Sequence, residues 1–468
     1  MNVTLLPAVE QLALLQQCKI SALELAEEHL RQIERLNPQL NAIVEYDPEA
    51  VREQARRPVQ GALAGLPLTI KASIAVEGYR CDLGSKVFPS VRSKEDAEAV
   101  ARLRSAGAVL LGTTNCPEML MAYETDNLVY GKTRNPWSLE HSAGGSSGGE
   151  AAAIAAGMSA GGLGSDSGGS VREPAHFSGI CALKPTPGRV PGRGHVPPCV
   201  GPFATLGAVG PMARTIADIS LLFQALSARD PLDPVSPPVA YRPVSLEDAK
   251  RIPIGWFEDD GVVPVTPETR EAVRNAAEAL DRQGFNVARF RPEALEDARR
   301  LWWTFFVQCG EMFYAQTIRG REAELSPTFL DFLKIARAET PLMVESLLQA
   351  WAESDVVRGK LLAEMQAFPI LLCPVSAIPA FKHGEREWQV EGTTVRYLDV
   401  MRYTQWFNLL AAPAAVVPVG SSPEGLPIGV QIAGRPFDDE VVLAIASAVD
   451  REFGYHVPWM AISPDGRV

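Results

Sequence analysis

The chain has 468 residues, of which 46% are hydrophobic, so it is long enough to bury a large core. Its formal net charge is −12, and acidic and basic residues are mixed along the chain without any basic block. Such a charge pattern argues against binding to nucleic acids or to anionic membranes, and it leaves neutral or cationic small molecules as ligands.

The cysteines and the N-terminal sequence indicate the compartment. The seven cysteines are scattered without CxxC spacing, which is typical of reduced thiols and not of a disulfide framework or a zinc site. The first residues contain no basic segment followed by an apolar run, and no apolar stretch reaches the ~18 residues of a membrane span. We therefore expect a soluble, cytoplasmic protein.

The first predicted element is a helix that opens an N-terminal arm. Ser21 and Glu24 have the spacing of a capping box, and apolar residues follow at helical intervals. Asn37 and Pro38 are expected to end this helix. We predict that the arm covers residues 1–60 and packs on the core.

From residue 61 onward, short apolar strands alternate with helices. The chain-order prediction is a strand at 68–70 with Lys71 at its end, a helix at 97–106, a strand at 108–111 and a helix at 150–156. Further strands are predicted at 252–256, 370–374, 414–418 and 429–432, with helices between them such as 267–283 and 438–451. This order predicts an α/β fold with a central mixed sheet covered by helices on both faces. We assign 61–468 to a single domain, with a mainly helical, aromatic-rich excursion at about 215–365 that caps the sheet.

Residues 142–174 form the one low-complexity segment, which reads SAGGSSGGEAAAIAAGMSAGGLGSDSGGSVREP. A flexible linker does not fit, because an apolar helix interrupts the segment. A phosphate loop does not fit either, since Glu150 stands where a Lys-Ser/Thr pair is needed. Glycines allow backbone N–H groups to converge on one point, as an oxyanion requires. The segment is therefore best interpreted as a nucleophile loop that ends at Ser170.

Ser170 needs a base, and the sequence offers two kinds. His176 follows too closely on the same predicted helix, and no other histidine lies in a supporting motif. Lys71 ends an apolar strand, where burial would lower its pKa and make it a neutral base. Taken alone, Lys71 also fits a strand-end lysine whose amine reaches solvent.

Three separated motifs together resemble the signature of the amidase signature family. They are GLPLTIKASIAVEG around Lys71, GGSSGGEAAAIAAG around Ser146 and GLGSDSGGSVREPAHFSGICALKPTPGRVP around Ser170. Supporting segments, GTTNCPEM, YGKTRNPW and PIGVQIAGRPFDDE, also occur in the family's order. The resemblance extends from about residue 10 to residue 455, and the agreement of several motifs in order makes it specific.

The resemblance implies the amidase signature fold and a Ser-cisSer-Lys triad. Ser170 would be the nucleophile, Ser146 the bridging serine on a cis peptide after Gly145, and Lys71 the base. The resemblance further implies that the oxyanion is bound by the N–H groups of Ser167, Gly168 and Gly169. It implies supporting roles for Gly145, for Ser147 and for an ion pair of Asp166 with Arg172. The substrate pocket it implies is lined by Met119, Leu120, Met121 and Trp406. The chemistry implied needs no cofactor and no metal.

Two departures from the family pattern bear on function. Ala72 stands where the family usually has an acidic residue after the lysine. In the branch of the family formed by the aminoacyl-tRNA amidotransferases, an acidic residue serves the glutamine substrate. Met401 occupies the place of that acidic residue in this sequence. Its neighbours Tyr403, Trp406 and Phe407 are aromatic. We therefore expect an amidohydrolase that acts on a hydrophobic or aryl carboxamide.

Three alternatives stay open. The same triad could hydrolyse a carbamate (urethane), the chain could be the glutamine-hydrolysing component of an amidotransferase that needs a partner chain, or it could be a catalytically degenerate member of the fold. The expected partner is a small-molecule amide or carbamate, with no nucleic acid and no membrane, and a homodimer is left open.

Overall fold

The structure is a computed structural model, and it describes residues 2–57, 60–88 and 91–462. Residue 1, residues 58–59 and 89–90, and residues 463–468 lie outside the described residues. The outer limits of the predicted arm, 1–60, and of the predicted domain, 61–468, therefore fall partly on residues that are not described.

The described strands form one large sheet and two small ones. In chain order they are β1 Ile43–Glu45, β2 Pro67–Lys71, β3 Val109–Thr114, β4 Arg134–Asn135, β5 Ser138–Ser142, β6 Gly161–Asp166, β7 Cys181–Lys184, β8 Ala208–Ala213, β9 Ile254–Trp256, β10 Val287–Arg289, β11 Ile370–Pro374, β12 Glu387–Val390, β13 Thr393–Arg396, β14 Ala414–Ser421 and β15 Pro427–Ala433. Among the described residues, the large sheet has eleven strands in the order β1-β3-β2-β6-β8-β7-β14-β15-β11-β9-β10.

The described helices surround this sheet. In chain order they are α1 Ala8–Gln16, α2 Ala22–Leu40, α3 Pro48–Arg56, α4 Glu98–Ser105, α5 Gly148–Ala155, α6 Arg172–Ser178, α7 Pro202–Leu206, α8 Ile216–Leu226, α9 Leu246–Ala249, α10 Pro267–Arg282, α11 Leu295–Trp303, α12 Cys309–Ile318, α13 Pro327–Arg337, α14 Val344–Glu364, α15 Arg402–Leu409, α16 Asp439–Phe453 and α17 Trp459–Ile462. A π-helical turn, Thr304–Gln308, joins α11 to α12.

The large sheet is mixed and is covered on both faces. Strands β3, β2 and β6 run parallel, whereas β6, β8, β7, β14 and β15 pair antiparallel. Helices α4, α8, α10 and α16 share one apolar cluster with the inward residues of β2, β7, β14 and β15. Helices α5 and α6 cover the opposite face of the central strands. The predicted α/β architecture, with helices on both faces of a mixed sheet, is confirmed.

The N-terminal helix begins as the sequence predicts and ends slightly later. The Ser21 hydroxyl accepts a hydrogen bond from the Glu24 N–H at 3.1 Å, and the Glu24 carboxylate accepts one from the Ser21 N–H at 2.8 Å. The helix continues past Pro38 and ends where Asn41 adopts a left-handed conformation. A proline near the end removes one hydrogen bond but does not stop the final turn. Helix α2 packs with β3 and α5 in a shared apolar cluster.

Two central strands, β6 and β8, were not predicted, because their glycines and proline are typical of loops. Their packing explains the composition. A Cβ on Gly162 in β6 would overlap the Glu150 carboxyl and the Thr69 carbonyl oxygen. Glycine therefore allows α5 to lie directly against the sheet.

The predicted helical excursion at about 215–365 contains two strands, β9 and β10, that join one edge of the large sheet. Its part that contains helices and no strand is residues 295–364, which we call the cap. The cap shares an apolar cluster with β11 and α15. Across the described ranges, no helix has both the length and the apolar character needed to cross a bilayer.

Candidate active site

Lys71 reaches the interior because of the alternation of side chains along β2. Leu68 and Ile70 point into the apolar cluster under α4 and α8. Thr69 and Lys71 point to the other face, towards α5, since successive residues of a strand face opposite sides. The Thr69 hydroxyl donates to the Glu150 carboxyl at 2.5 Å, and the Thr114 hydroxyl donates to it at 2.8 Å. The lysine therefore lies buried beside a hydrogen-bonded acid.

The Lys71 amine contacts two serines. Its Nζ donates to Ser146 Oγ at 2.6 Å and to Ser165 Oγ at 3.1 Å. Complete burial lowers the pKa of Lys71 to about 8, although Cys116, Asp166 and Glu150 act in the opposite direction. Burial likewise raises the pKa of Glu150 to about 8. Lys71 can thus lose its proton near neutral pH, which a solvent-exposed lysine cannot do.

Ser146 lies in the glycine-rich turn before α5. The peptide bond between Gly145 and Ser146 is cis. The Gly145 N–H donates to the buried Glu173 carboxyl at 2.8 Å, and the Ser147 N–H donates to the carbonyl oxygen of Ser170 at 3.1 Å. These two bonds join the Ser146 turn to the start of α6. We call residues 144–149 and 165–172 the catalytic loops.

The second catalytic loop is held by a buried ion pair. Arg172 Nε donates to Asp166 Oδ2 at 3.0 Å, and neither side chain is exposed. Arg172 also donates to Asn408 Oδ1 at 2.6 Å and to Gln431 Oε1 at 3.1 Å. Burial by itself would raise the pKa of Asp166, but the Arg172 guanidinium outweighs it and holds the pKa well below the usual value. The pair connects the loop to α15 and β15.

The backbone N–H groups of this loop differ in their partners. The Gly169 N–H donates to Asp166 Oδ1 at 2.7 Å, so it is already engaged and does not fit the predicted role as an oxyanion donor in this geometry. Among the described residues, the N–H groups of Ser167, Gly168 and Ser170 have no hydrogen-bond partner. Unpaired N–H groups in a buried loop are rare in folded proteins. Three donors are thus unpaired in the loop that carries Ser170, and two of them belong to residues that line the cleft described next, Ser167 and Ser170.

Ser146 and Ser170 open onto the same narrow cleft, which has about 540 Å³ of empty space, partly open to solvent. Its walls are mostly apolar and aromatic, as is usual for small-molecule sites. They comprise Met119, Leu120, Met121, Ser146, Ser165, Ser167, Ser170, His195, Pro197, Pro198, Cys199, Phe203, Phe306, Phe313 and Tyr314. Ser170 itself is 7% exposed, which is enough for contact with a bound ligand.

The structure places three of the four predicted pocket residues at this cleft. Met119, Leu120 and Met121 line it, and Met119 and Leu120 have φ angles of 54° and 65°. Trp406 does not line the cleft. It is 1% exposed and packs against Phe257 and Tyr403 within the core. The prediction for Trp406 was wrong because α15 turns its aromatic side chains towards the core.

Several cleft residues were not predicted. His195 contacts Ser73 with Nε2 at 3.3 Å, and burial lowers its pKa to about 4, so it is neutral. Phe306, Phe313 and Tyr314 come from the cap, far along the chain from the signature motifs. The aromatic richness of this region is visible in the sequence, but the sequence gives no sign of which rings face the cleft. Ser165 stands within the GSDSGGS motif and could have been found there.

A buried lysine bonded to a serine, a second serine in the same cleft and three unpaired N–H groups in its loop are the kinds of group that serine hydrolases use. The family model described as Amidase matches residues 24–443. The chain therefore belongs to the amidase signature family, and it is an amide-hydrolysing enzyme.

Relatives and solved structures resemble the chain over nearly its whole length. It is 34% identical to the A component of the glutamyl-tRNA(Gln) amidotransferase of Roseiflexus castenholzii, covering 97% of each chain. It is 31% identical to an indoleacetamide hydrolase of Bradyrhizobium diazoefficiens, covering 96% of this chain and 86% of the relative. The crystal structure of a bacterial aryl acylamidase of the amidase signature family superposes with a TM-score of 0.85 at 27% identity, covering 99% of both chains.

Proposed function

We propose that this chain is a stand-alone amidohydrolase that cleaves the C–N bond of a hydrophobic or aryl carboxamide, with Lys71, Ser146 and Ser170 as its catalytic triad. The observation that carries the proposal is the 2.6 Å contact from buried Lys71 to Ser146 at a cleft that Ser146 and Ser170 both line. The indoleacetamide hydrolase and the aryl acylamidase among its relatives act, by their names, on amides of aromatic compounds, which supports the substrate class.

In the proposed acylation step, neutral Lys71 accepts the proton of Ser146 while Ser146 accepts the proton of Ser170. The Ser170 Oγ then forms a bond to the amide carbon, and the carbonyl oxygen becomes an oxyanion facing the free N–H groups of Ser167, Gly168 and Ser170. Donors of this kind typically contribute about 3 kcal/mol each to the transition state. Gly169, whose N–H is bonded to Asp166, would hold the loop in shape instead of binding the oxyanion.

The intermediate collapses when the C–N bond breaks. Ser146 gives its proton to the departing nitrogen and recovers one from the Lys71 ammonium, which returns Lys71 to its neutral form. Water then attacks the acyl-enzyme by the same proton route, and the carboxylic acid and free Ser170 are released. All atoms of this sequence come from the enzyme, the amide and water.

The cleft wall supports an apolar amide over free glutamine. Glutamine carries an ammonium and a carboxylate, and both require charged or strongly polar partners when buried. Within the described part of the chain, no Asp, Glu, Lys or Arg side chain lines the cleft. The similarity to the amidotransferase component nevertheless makes that activity the second candidate.

The substrate class is tested with one aryl acyl group presented as a primary amide, an anilide and an O-alkyl N-aryl carbamate, with glutamine as a fourth substrate. Products are followed by mass spectrometry. Fastest cleavage of the amide or anilide supports the proposal, and fastest cleavage of the carbamate makes the enzyme a urethanase with the same machinery. If glutamine is the one substrate of the four that is hydrolysed, with release of ammonia, the proposal is overturned in favour of the amidotransferase function.

The nucleophile is tested with Ser170→Ala. We expect turnover to fall by at least about 10⁴-fold and labelling by a fluorophosphonate to disappear, because no acyl-enzyme can form. Ser178→Ala is the matched control, since Ser178 is a buried serine of α6 away from the cleft. Substantial turnover or labelling in Ser170→Ala would refute the assignment.

A further inference from the structure

The cap contributes more than a wall to the cleft, because one of its residues is hydrogen-bonded to the nucleophile loop. Trp302, the penultimate residue of α11, is fully buried, and its indole Nε1 donates to the carbonyl oxygen of Ser167 at 2.8 Å. Trp302 does not line the cleft; Phe306, whose ring stacks on it at 4.8 Å and 13°, lies on the cleft side. Trp302 therefore does not touch a bound substrate.

The bond to Ser167 fixes the direction of the next N–H group. In a trans peptide the C=O of one residue and the N–H of the next point in opposite directions within one rigid plane. Anchoring the Ser167 carbonyl on Trp302 therefore turns the Gly168 N–H away from the indole. That N–H is buried and has no partner among the described residues. It is one of the three donors available for an oxyanion.

The next peptide, between Gly168 and Gly169, is also held through its carbonyl oxygen, but its N–H has a hydrogen-bond partner. The Gly168 carbonyl oxygen accepts from the Tyr123 hydroxyl at 2.8 Å and from the Thr404 hydroxyl at 2.7 Å. This plane directs the Gly169 N–H to Asp166, where it is satisfied. The two peptide planes thus have separate roles. The Gly168–Gly169 peptide donates its N–H to Asp166 of the ion pair, whereas the Ser167–Gly168 peptide leaves its N–H without a partner.

The contact between Trp302 and Gly168 is also steric. A Cβ added to Gly168 would lie 2.5 Å from Trp302 Cζ2, so the indole packs directly on the glycine Cα. The indole also stacks on Phe306, which lies within the π-helical turn Thr304–Gln308, a backbone feature that is frequent at functional sites. The loop peptide is therefore fixed by a hydrogen bond and by close packing from the same side chain.

We propose that Trp302 is a positioning residue for catalysis, which orients the Gly168 N–H as an oxyanion donor through its bond to the Ser167 carbonyl. The inference rests on the proposed function, because it assumes an oxyanion formed on Ser170. It goes further by assigning a role in the transition state to a residue of the cap. A residue that acts only on the transition state changes kcat and leaves substrate binding unchanged.

The test compares Trp302→Phe with Trp303→Phe. Trp303 is the next residue of α11, and its buried Nε1 has no hydrogen-bond partner among the described residues, so it is a matched control for loss of an indole. For the aryl amide we expect Trp302→Phe to lower kcat by about 10- to 100-fold with KM within about twofold, less than full removal of a donor. Trp303→Phe should stay within about twofold in both constants.

A second readout uses phenylboronic acid, whose boron forms a tetrahedral adduct with a catalytic serine and so places an oxygen at the oxyanion position. Its inhibition constant should rise in Trp302→Phe by a factor similar to the fall in kcat, and it should not change in Trp303→Phe. If Trp302→Phe lowers thermal stability, a tryptophan isostere with sulfur in place of the ring N–H at position 302 removes the donor without changing the packing.

The outcomes separate the two proposals. A wild-type chain that hydrolyses none of the amides removes the proposed function and this inference with it. A wild-type chain that is active, with Trp302→Phe indistinguishable from Trp303→Phe, overturns the inference alone. A rise in KM with unchanged kcat and unchanged boronate inhibition would also overturn it, since Trp302 would then only support the cleft wall.

Discussion

The catalytic loops and the cap meet at the same cleft, but they differ in which kinds of side chain they bury and which they expose to water. In the catalytic loops, polar side chains such as Ser146, Asp166 and Arg172 are buried and hydrogen-bonded to one another or to the sheet. In the cap, by contrast, apolar side chains reach the surface. Of the sixteen large hydrophobic side chains that are exposed among the described residues, eight lie in residues 295–364.

This difference explains which part of the enzyme can accept changes in amino-acid sequence. A buried polar network tolerates little change, because removal of one member leaves its partners unsatisfied. Apolar contacts lack direction, so the cap can change its shape without an unpaired group being left behind. We infer that the loops fix the reaction and that the cap sets which acyl group fits. Trp302 is where the two regions are joined by a hydrogen bond.

The largest expected effect on the loop side of the cleft comes from Lys71→Ala, at the end of β2, because Lys71 donates to Ser146 of the first catalytic loop. We expect a fall in kcat/KM of about 10²- to 10⁴-fold at pH 8, because the general base is lost. Since the pKa of Lys71 is about 8, wild-type activity should fall about tenfold per pH unit below that value and level off above it. The variant should lack this plateau and keep rising with hydroxide, so its deficit shrinks towards pH 10.

The measurement is the pH profile of kcat/KM from pH 6 to 10 for both proteins. Lys250→Ala, which removes a partly exposed lysine paired with Glu247, serves as the control and should keep the wild-type profile. A deficit of the same size at every pH would show that Lys71 is structural and not a base.

A smaller but still large effect is expected when the buried ion pair is broken. Asp166→Asn leaves the Arg172 charge without its counter-ion and presents an amide to groups that are already donors. Breaking a buried pair typically costs about 3–5 kcal/mol in free energy of unfolding. Urea unfolding measures this cost, and amide turnover should fall together with it.

The cap supplies the matched control for this variant. Asp355 pairs with Arg358 on the surface of α14 at 3.2 Å and is 74% exposed. Asp355→Asn should change the free energy of unfolding by less than about 0.5 kcal/mol. Equal destabilisation by the two variants would contradict the contrast between loops and cap.

Within the cap, Phe313→Ala should act on binding and not on chemistry. Phe313 lines the cleft but is 46% exposed, so its loss removes only part of an apolar contact. We expect KM for aryl amides to rise a few-fold with kcat unchanged, because a half-exposed ring loses only part of the about 1–3 kcal/mol that separates a filled from an emptied apolar subsite. Leu348→Ala, which truncates an exposed residue of α14 away from the cleft, is the control. A fall in kcat alone would contradict this division.

The smallest effect is expected far from both regions, at the N-terminal capping box. Ser21→Ala removes the acceptor for the Glu24 N–H and should lower the free energy of unfolding by about 1 kcal/mol. Steady-state kinetics should not change. Glu28→Gln, on the exposed face of the same helix, controls for a general effect of mutation on α2. A change in kcat for Ser21→Ala would mean that the arm is coupled to the site.

The sequence predicted those parts of the fold that have regular periodicity. Strand β11 was predicted to the residue, and α10 and α16 within two residues, because apolar spacing specifies a buried strand or helix face. Strand β6 was missed since its glycines are required by Glu150 across the interface and not by the strand itself. Tertiary packing of this kind leaves no periodic pattern.

The residues of the candidate site also fall into those that the sequence could predict and those that it could not. Lys71, Ser146 and Ser170 could be named from the family motifs, because each stands in a short run of characteristic residues. The cleft aromatics Phe306 and Phe313 could not be named, since long-range folding of the cap decides which rings face inward. Trp406 was misplaced for the same reason: an aromatic residue near a motif can fill a core as readily as a pocket.

The backbone of the cleft wall limits how substrate preference can be engineered. Met119 and Leu120 both have positive φ angles, a conformation that β-branched side chains strongly disfavour. Valine or isoleucine libraries at these two positions should therefore yield mostly misfolded or inactive enzymes, whereas glycine and asparagine variants should be accepted. Phe203 and Phe313 are better positions for resizing the cleft, because they lie in α7 and α12, where the helical backbone accepts most side chains.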